Sequence, residues 1–133
     1  MNQILKNFIL IFFSYFLIVR PAYSVNITGD DNKINSDSTT QQVYNADDTS
    51  LTITNSSTLS RTGQAPVNIN GQDNGTLTIN SGSSITATSH NTVQGRNQSG
   101  LTVTNSGTIS SGGSKAINLL NGQNSTVTNN SGG

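Results

Sequence analysis

The chain has no cysteine, no tryptophan and no glutamate among its 133 residues. Without cysteine, neither a disulfide frame nor a thiolate nucleophile or metal ligand is available. Charge is sparse as well, at 9% of residues, and His90 is the only histidine. From Val25 onward four cations (Lys33, Arg61, Arg96 and Lys115) oppose six anions (Asp30, Asp31, Asp37, Asp47, Asp48 and Asp73), a net charge of −2. That leaves no basic patch, so no nucleic-acid partner is expected. Aromatic rings nearly vanish too. All four Phe precede Val25, and Tyr44 is the single ring after it. Aromatic platforms for sugars and aromatic girdles for a membrane barrel are therefore missing.

The one long apolar run is FILIFFSYFLIV, Phe8 to Val19. Lys6 precedes it, Arg20 and Pro21 end it, and Ala22-Tyr23-Ser24 follow. A basic start, a short apolar middle and small residues at the two positions a peptidase reads describe a secretory signal peptide, residues 1–24, cleaved after Ser24. As a helix the run would span only ~18 Å, against a hydrocarbon core of about 30 Å, so no stable membrane span is expected after cleavage.

What remains is dominated by 17 Ser, 18 Thr, 17 Asn and 13 Gly in 109 residues. Such a composition commonly stays disordered. The spacing of its apolar residues argues otherwise. Val25-x-Ile27, Leu51-x-Ile53, Leu77-x-Ile79 and Leu101-x-Val103 open successive units, and Ser125-Thr126-Val127 opens a fifth. The intervals are 26, 26, 24 and 24 residues, a period typical of repeat architectures. Eight residues after each start comes Leu59, Ile85 or Ile109, with Ile34 one place late in the first unit. Sixteen after it comes Val67, Val93 or Ile117. Each unit thus holds three short alternating stretches separated by Ser-Gly, Asn-Gly or Gly-Gly, which reads as three strands with tight turns.

The expected fold is all-β: a parallel β-helix, or β-solenoid, with three short strands per coil of 24–26 residues. One triplet cannot bury its own apolar face, so the phrase works only when stacked. Stacking on the unit starts sets Leu51 under Leu77 and Leu77 under Leu101. It also makes polar columns: Asn55, Ser81, Asn105 and Asn129, and Asp47, Asp73, Asn97 and Asn121. Amides in such columns bond along the axis. The fifth unit stops at Ser131-Gly132-Gly133 in mid-phrase, so residues 25–133 read as a solenoid segment truncated at its C-terminus. Its open strand edges predict head-to-tail self-association.

The phrases LTITNSSTLS (from Leu51), LTVTNSGTIS (from Leu101) and AINLLNG (Ala116 to Gly122) resemble passenger repeats of bacterial autotransporters and haemagglutinin-type adhesins. The resemblance covers residues 25–133. It implies an exported β-helical passenger with a structural or adhesive role, at the cell surface or outer membrane or outside the cell, and periplasmic if no barrel is supplied. Its implied partners are surface ligands on host or neighbouring cells, or a C-terminal translocator barrel. Nothing after residue 24 reads as lipid-facing barrel strands, so that barrel is not in this chain.

Chemistry-bearing residues are few. His90 lies in TSHNT beside Ser89, but a Ser-His pair needs an orienting acid and an oxyanion hole, and a solvated loop histidine is the expected reading. Asp30-Asp31 and Asp47-Asp48 offer carboxylates for Ca²⁺ or acid–base work. Asp47 over Asp73 would set two carboxylates ~5 Å apart, which repel unless bridged by a cation. Solvated turn aspartates are the plainer reading. No catalytic, cofactor-binding or metal-ligating residue can be assigned, and no cofactor or enzyme activity is expected. Two alternatives stand beside the adhesive role. Thr52-Ile53-Thr54, Thr102-Val103-Thr104 and Thr126-Val127-Thr128 form a T-x-T face like that of ice-binding solenoids, with Thr78-Ile79-Asn80 as a broken rung; Thr is also simply favoured on exposed strands. A fragment of a β-helical polysaccharide-degrading enzyme is the last.

Overall fold

The structure, a computed structural model, describes residues 23–131. Residues 1–22 of the expected leader 1–24 lie outside these residues, as does the Gly132-Gly133 end; its last two residues, Tyr23 and Ser24, are described, and Ser24 opens the first strand. Thirteen strands follow in order: β1 (Ser24–Ile27), β2 (Asn32–Ile34), β3 (Gln41–Tyr44), β4 (Ser50–Ile53), β5 (Thr58–Arg61), β6 (Val67–Asn68), β7 (Thr76–Ile79), β8 (Ser84–Ala87), β9 (Val93–Arg96), β10 (Thr102–Asn105), β11 (Thr108–Ser111), β12 (Ile117–Leu120) and β13 (Thr126–Asn129). No helix occurs among the described residues. The strands stack in three parallel sheets. Sheet A runs β1-β3-β6-β9-β12, sheet B runs β2-β4-β7-β10-β13, and sheet C runs β5-β8-β11. The chain visits the three sheets in turn and makes a β-solenoid of about 4 turns.

Alternation builds the core. In β4, β5, β7 and β8 every second residue is buried. Leu51, Ile53, Leu59, Val67, Ile69, Leu77, Ile79, Ile85, Val93, Leu101 and Val103 are all no more than 1% exposed. The expected columns Leu59–Ile85–Ile109 and Val67–Val93–Ile117 are present in register. Among the described residues no coil lies over β11, β12 and β13. Ile109, Ile117 and Leu119 are therefore only partly buried, and Leu120 and Val127 are each 49% exposed.

Two expectations about register are corrected. Val25 and Ile27 do not stack beneath Leu51 and Ile53. They lie in sheet A, with Val25 paired to Gln42 and Ile27 to Tyr44. Ile34, expected in the Leu59 column, pairs with Ile53 instead, and Ser38 makes the bridge to Leu59. The first coil is shorter than the rest, so a 26-residue ruler misplaces it.

The second correction concerns Leu101. Val103, not Leu101, lies over Leu77, and Asn105 lies over Ile79. Leu101 sits at the corner, in the place that Gly75 holds one coil below: the amide of Thr102 bonds the Gly75 carbonyl as that of Thr126 bonds the Leu101 carbonyl. Sheet B thus keeps its 26-residue interval through β10, whereas Ile85 to Ile109 and Val93 to Ile117 are 24 apart. The two residues are lost in the turn between sheets B and C. In the lower coil that turn closes on itself, Ser83 N–H donating to the Asn80 carbonyl at 3.0 Å, as Ser57 N–H does to Thr54 at 3.1 Å. In the shortened turn, Gly107 N–H donates to Oδ1 of Asn105 at 3.2 Å. Gly107 also packs on the coil beneath. A β-carbon there would collide with the Ser83 carbonyl oxygen and lie 2.6 Å from that of Asn80.

Corners need left-handed backbone, which Asn, Asp and Gly adopt at least cost. They fill one corner column at Asp48, Asn74, Gly100 and Asn124, with φ of 56, 55, 72 and 51°.

Candidate functional site

Each sheet presents a different outward surface, and the corrected register decides what sheet B shows. Its outward columns are Ser50–Thr76–Thr102–Thr126 and Lys33–Thr52–Thr78–Thr104–Thr128. The rung expected to be broken is whole, because it reads Thr76-Leu77-Thr78 rather than Thr78-Ile79-Asn80. Four rungs carry seven threonines and one serine. Asn80 belongs to the next column, where its Nδ2 donates to Oγ1 of Thr54 at 3.3 Å. The phrase TLTI at Thr76 carries the signal, since it aligns with SLTI at Ser50 and TVTN at Thr102.

Sheet C is also rich in hydroxyls but uses them internally. Ser84 Oγ donates to Thr58 Oγ1 at 3.1 Å, Thr86 Oγ1 and Ser110 Oγ are 3.0 Å apart, and Thr88 Oγ1 donates to Thr62 Oγ1 at 2.9 Å. In sheet B, Ser50 Oγ accepts the amide of Asp31 at 3.0 Å. The seven threonine hydroxyls of its two columns make no hydrogen bond among the described residues, and they face outward. Sheet A shows an amide column instead, Asn68–Gln94–Asn118.

The aspartates serve corners. Oδ1 of Asp47 accepts the amide of Asp73 at 2.8 Å, and Oδ1 of Asp73 accepts that of Ser99 at 2.6 Å. This column therefore continues to Ser99, not to Asn97. Asn97 lies instead under Asn121, with Nδ2 of Asn121 donating to Oδ1 of Asn97 at 3.1 Å. Each carboxylate meets a backbone donor from the coil above, which offsets its charge without a bridging cation. The other expected polar column is also split. Asn105 and Asn129 bond through their amides at 2.7 Å, but Asn55 and Ser81 are exposed turn residues. Asp31 pairs with Lys33 at 3.5 Å on the exposed surface. No cluster of three or more His, Cys, Asp or Glu occurs among the described residues.

His90 and Ser89 stand in an exposed turn. Nδ1 of His90 is 3.3 Å from Ser89 Oγ, which also accepts the amide of Gly63 at 3.2 Å. No third group orients the imidazole among the described residues.

Three buried polar side chains were not anticipated. Arg61 occupies an inward position over which Ala87 stacks, and is 5% exposed. Its Nη1 donates to the carbonyls of Tyr23 and Thr39, both at 3.0 Å, and its Nη2 donates to Gln64 Oε1 at 2.7 Å. The alternation Leu59-Ser60-Arg61 already placed it inward. It fills the N-terminal end of the core, where sheet C stops at β5, and clasps the start of β1 to the third sheet. Gln98 is 1% exposed, and neither Oε1 nor Nε2 has a partner. Its amide fills space left by Gly95, where a β-carbon would lie 2.9 Å from the Gln98 Cδ. Tyr44 is 2% exposed and donates to the Thr76 carbonyl at 2.7 Å. Burial pushes its hydroxyl pKa well above the ordinary tyrosine value.

No protein-family model, characterised protein or solved structure matches this chain.

Proposed function

We propose that the chain is a segment of an exported β-helical passenger, displayed at or beyond the cell surface, with a structural or adhesive role. One observation carries this reading: four stacked coils hold a largely apolar interior while presenting long, almost uncharged hydroxyl and amide columns outward. A rod of this kind holds a surface at a distance and offers the same groups at every step. The autotransporter-like phrases and the leader-like start support export. Ligands on neighbouring or host cells, or a translocator barrel, are the partners this role implies.

The test is processing and location. The full chain, expressed in a Gram-negative host, should lose about the mass of residues 1–24 and leave the cytoplasm. Beads coated with it should then retain cells that uncoated beads release. An intact, cytoplasmic product overturns the export reading, and equal retention on both beads overturns the adhesive one.

A further inference from the structure

We infer that the outward face of sheet B binds an ordered lattice of water, the surface of ice. This deepens the reading that the outward faces of the solenoid are its working surfaces.

The argument begins with the grid. Thr76, Thr102 and Thr126 form one column with Ser50, and Thr52, Thr78, Thr104 and Thr128 form the other. Successive rungs of a parallel sheet lie ~4.8 Å apart, and residues two apart along a strand are separated by about 6.6 Å. Side chains that share a column and a strand conformation repeat on that two-dimensional spacing. Threonine is held close to a few χ1 values by its branched β-carbon, so each hydroxyl and methyl repeats with little freedom.

A second observation separates this face from its neighbour. On sheet C, Ser84 Oγ bonds Thr58 Oγ1 and Thr86 Oγ1 bonds Ser110 Oγ along the axis, at 3.1 and 3.0 Å, and Thr88 bonds Thr62 just past the strands at 2.9 Å. The threonine hydroxyls of sheet B bond to nothing among the described residues. Each retains a donor and acceptor for an external partner.

The two-residue shortening supplies a third. It falls in the turn after β10, so Thr102 and Thr104 keep their 26-residue interval from Thr76 and Thr78. The next rung then follows at 24 residues, again in register. The coil length changes and the threonine columns do not.

The grid also restricts the ligand. Within these four rungs there is no charged side chain, and Lys33, under Thr52 in the rung of β2, is paired with Asp31 at 3.5 Å, so a polyanion or a charged surface finds little complement. There is no aromatic ring, so a sugar has no stacking platform. What is left is an uncharged array of threonine methyl and hydroxyl groups on the repeat spacing of the sheet. It can hold bound waters in a repeating order, and the partner sharing such an order is a crystalline solid of water.

The test uses the full chain. It should partition into a slowly growing ice front and produce thermal hysteresis. The double variant Thr78→Tyr, Thr104→Tyr should lose both activities with an unchanged circular dichroism spectrum. The double variant Thr78→Val, Thr104→Val keeps shape while deleting two hydroxyls, and should weaken both. Thr108→Tyr, on sheet C, should leave both intact. Exclusion of the parent chain from ice overturns the inference. So does equal loss in the sheet C variant, or retention on crystalline cellulose or chitin in place of ice. None of these readouts depends on export, so failure here leaves the displayed-passenger reading standing, and failure of export leaves this inference standing.

Discussion

The coil that begins at Leu51 and the one that begins at Leu101 are built from nearly the same phrase, yet they solve the same turn differently. In the 26-residue coils the turn from sheet B to sheet C satisfies its own backbone, and the inward position before it is free for Ile53 or Ile79. In the 24-residue coil two residues are gone. Its turn amide must be satisfied from inside, so the same inward position becomes Asn105, 6% exposed. Asn105 in turn donates to Asn129. A polar side chain in a core column is here the consequence of a shorter loop, not of a ligand.

Breaking the short turn should have the largest effect. Gly107→Ala forces a methyl group into the backbone of the coil below, and should cost about 3 kcal/mol in denaturant unfolding. An unchanged midpoint would mean that the turn does not pack as described. Next, Asn105→Ile copies the lower coils but strands the Gly107 amide, for a loss of about 1–3 kcal/mol. A Ser-Gly insertion after Ser106 restores the longer turn and should recover most of that loss. Failure of the insertion to rescue would separate loop length from core polarity.

Gln98 gives a change of opposite sign. Replacing its unpartnered amide with the similarly shaped thioether in Gln98→Met should raise stability by about 1–2 kcal/mol. The smallest effect, absent at neutral pH, is that of Tyr44 ionisation. Its raised pKa makes its contribution complete below the ordinary tyrosine value of about 10 and progressively lost as pH rises above it. Alkaline melting curves should show this loss, and Tyr44→Phe should flatten it. A wild-type melt insensitive to alkali would contradict the burial of that hydroxyl.

The same two coils show what the sequence could and could not disclose. Three strands per coil, the Leu59 and Val67 columns and the parallel stacking were all legible, because inward residues alternate and the turns are marked by Gly and Asn. The slip at Leu101 was not. A shift of two residues leaves every side chain on the same face, so LTVT fits in either register by hydrophobicity alone. What decides is the turn, where Gly107 fits only against the backbone of Asn80 and Ser83. The first coil is illegible for a related reason: Val25-x-Ile27 alternates like any inward pair, and nothing in the pair itself says which sheet it joins. The threonine grid was partly legible, and its broken rung was an artefact of the assumed register. Arg61 was visible as an inward cation, but its acceptors are backbone carbonyls at distant points of the chain, which no local pattern reveals.

The ladders of all three sheets run along the long axis of the rod, and this has a mechanical consequence. A pull along that axis loads the bonds between coils one step at a time, like opening a zip, whereas a sideways push is shared by every coil. Each coil of 24 residues occupies ~4.8 Å of rod height but releases roughly 80 Å of chain when drawn straight. Pulled from its C-terminal end, the segment would peel coil by coil and lengthen greatly while its lower turns stay intact.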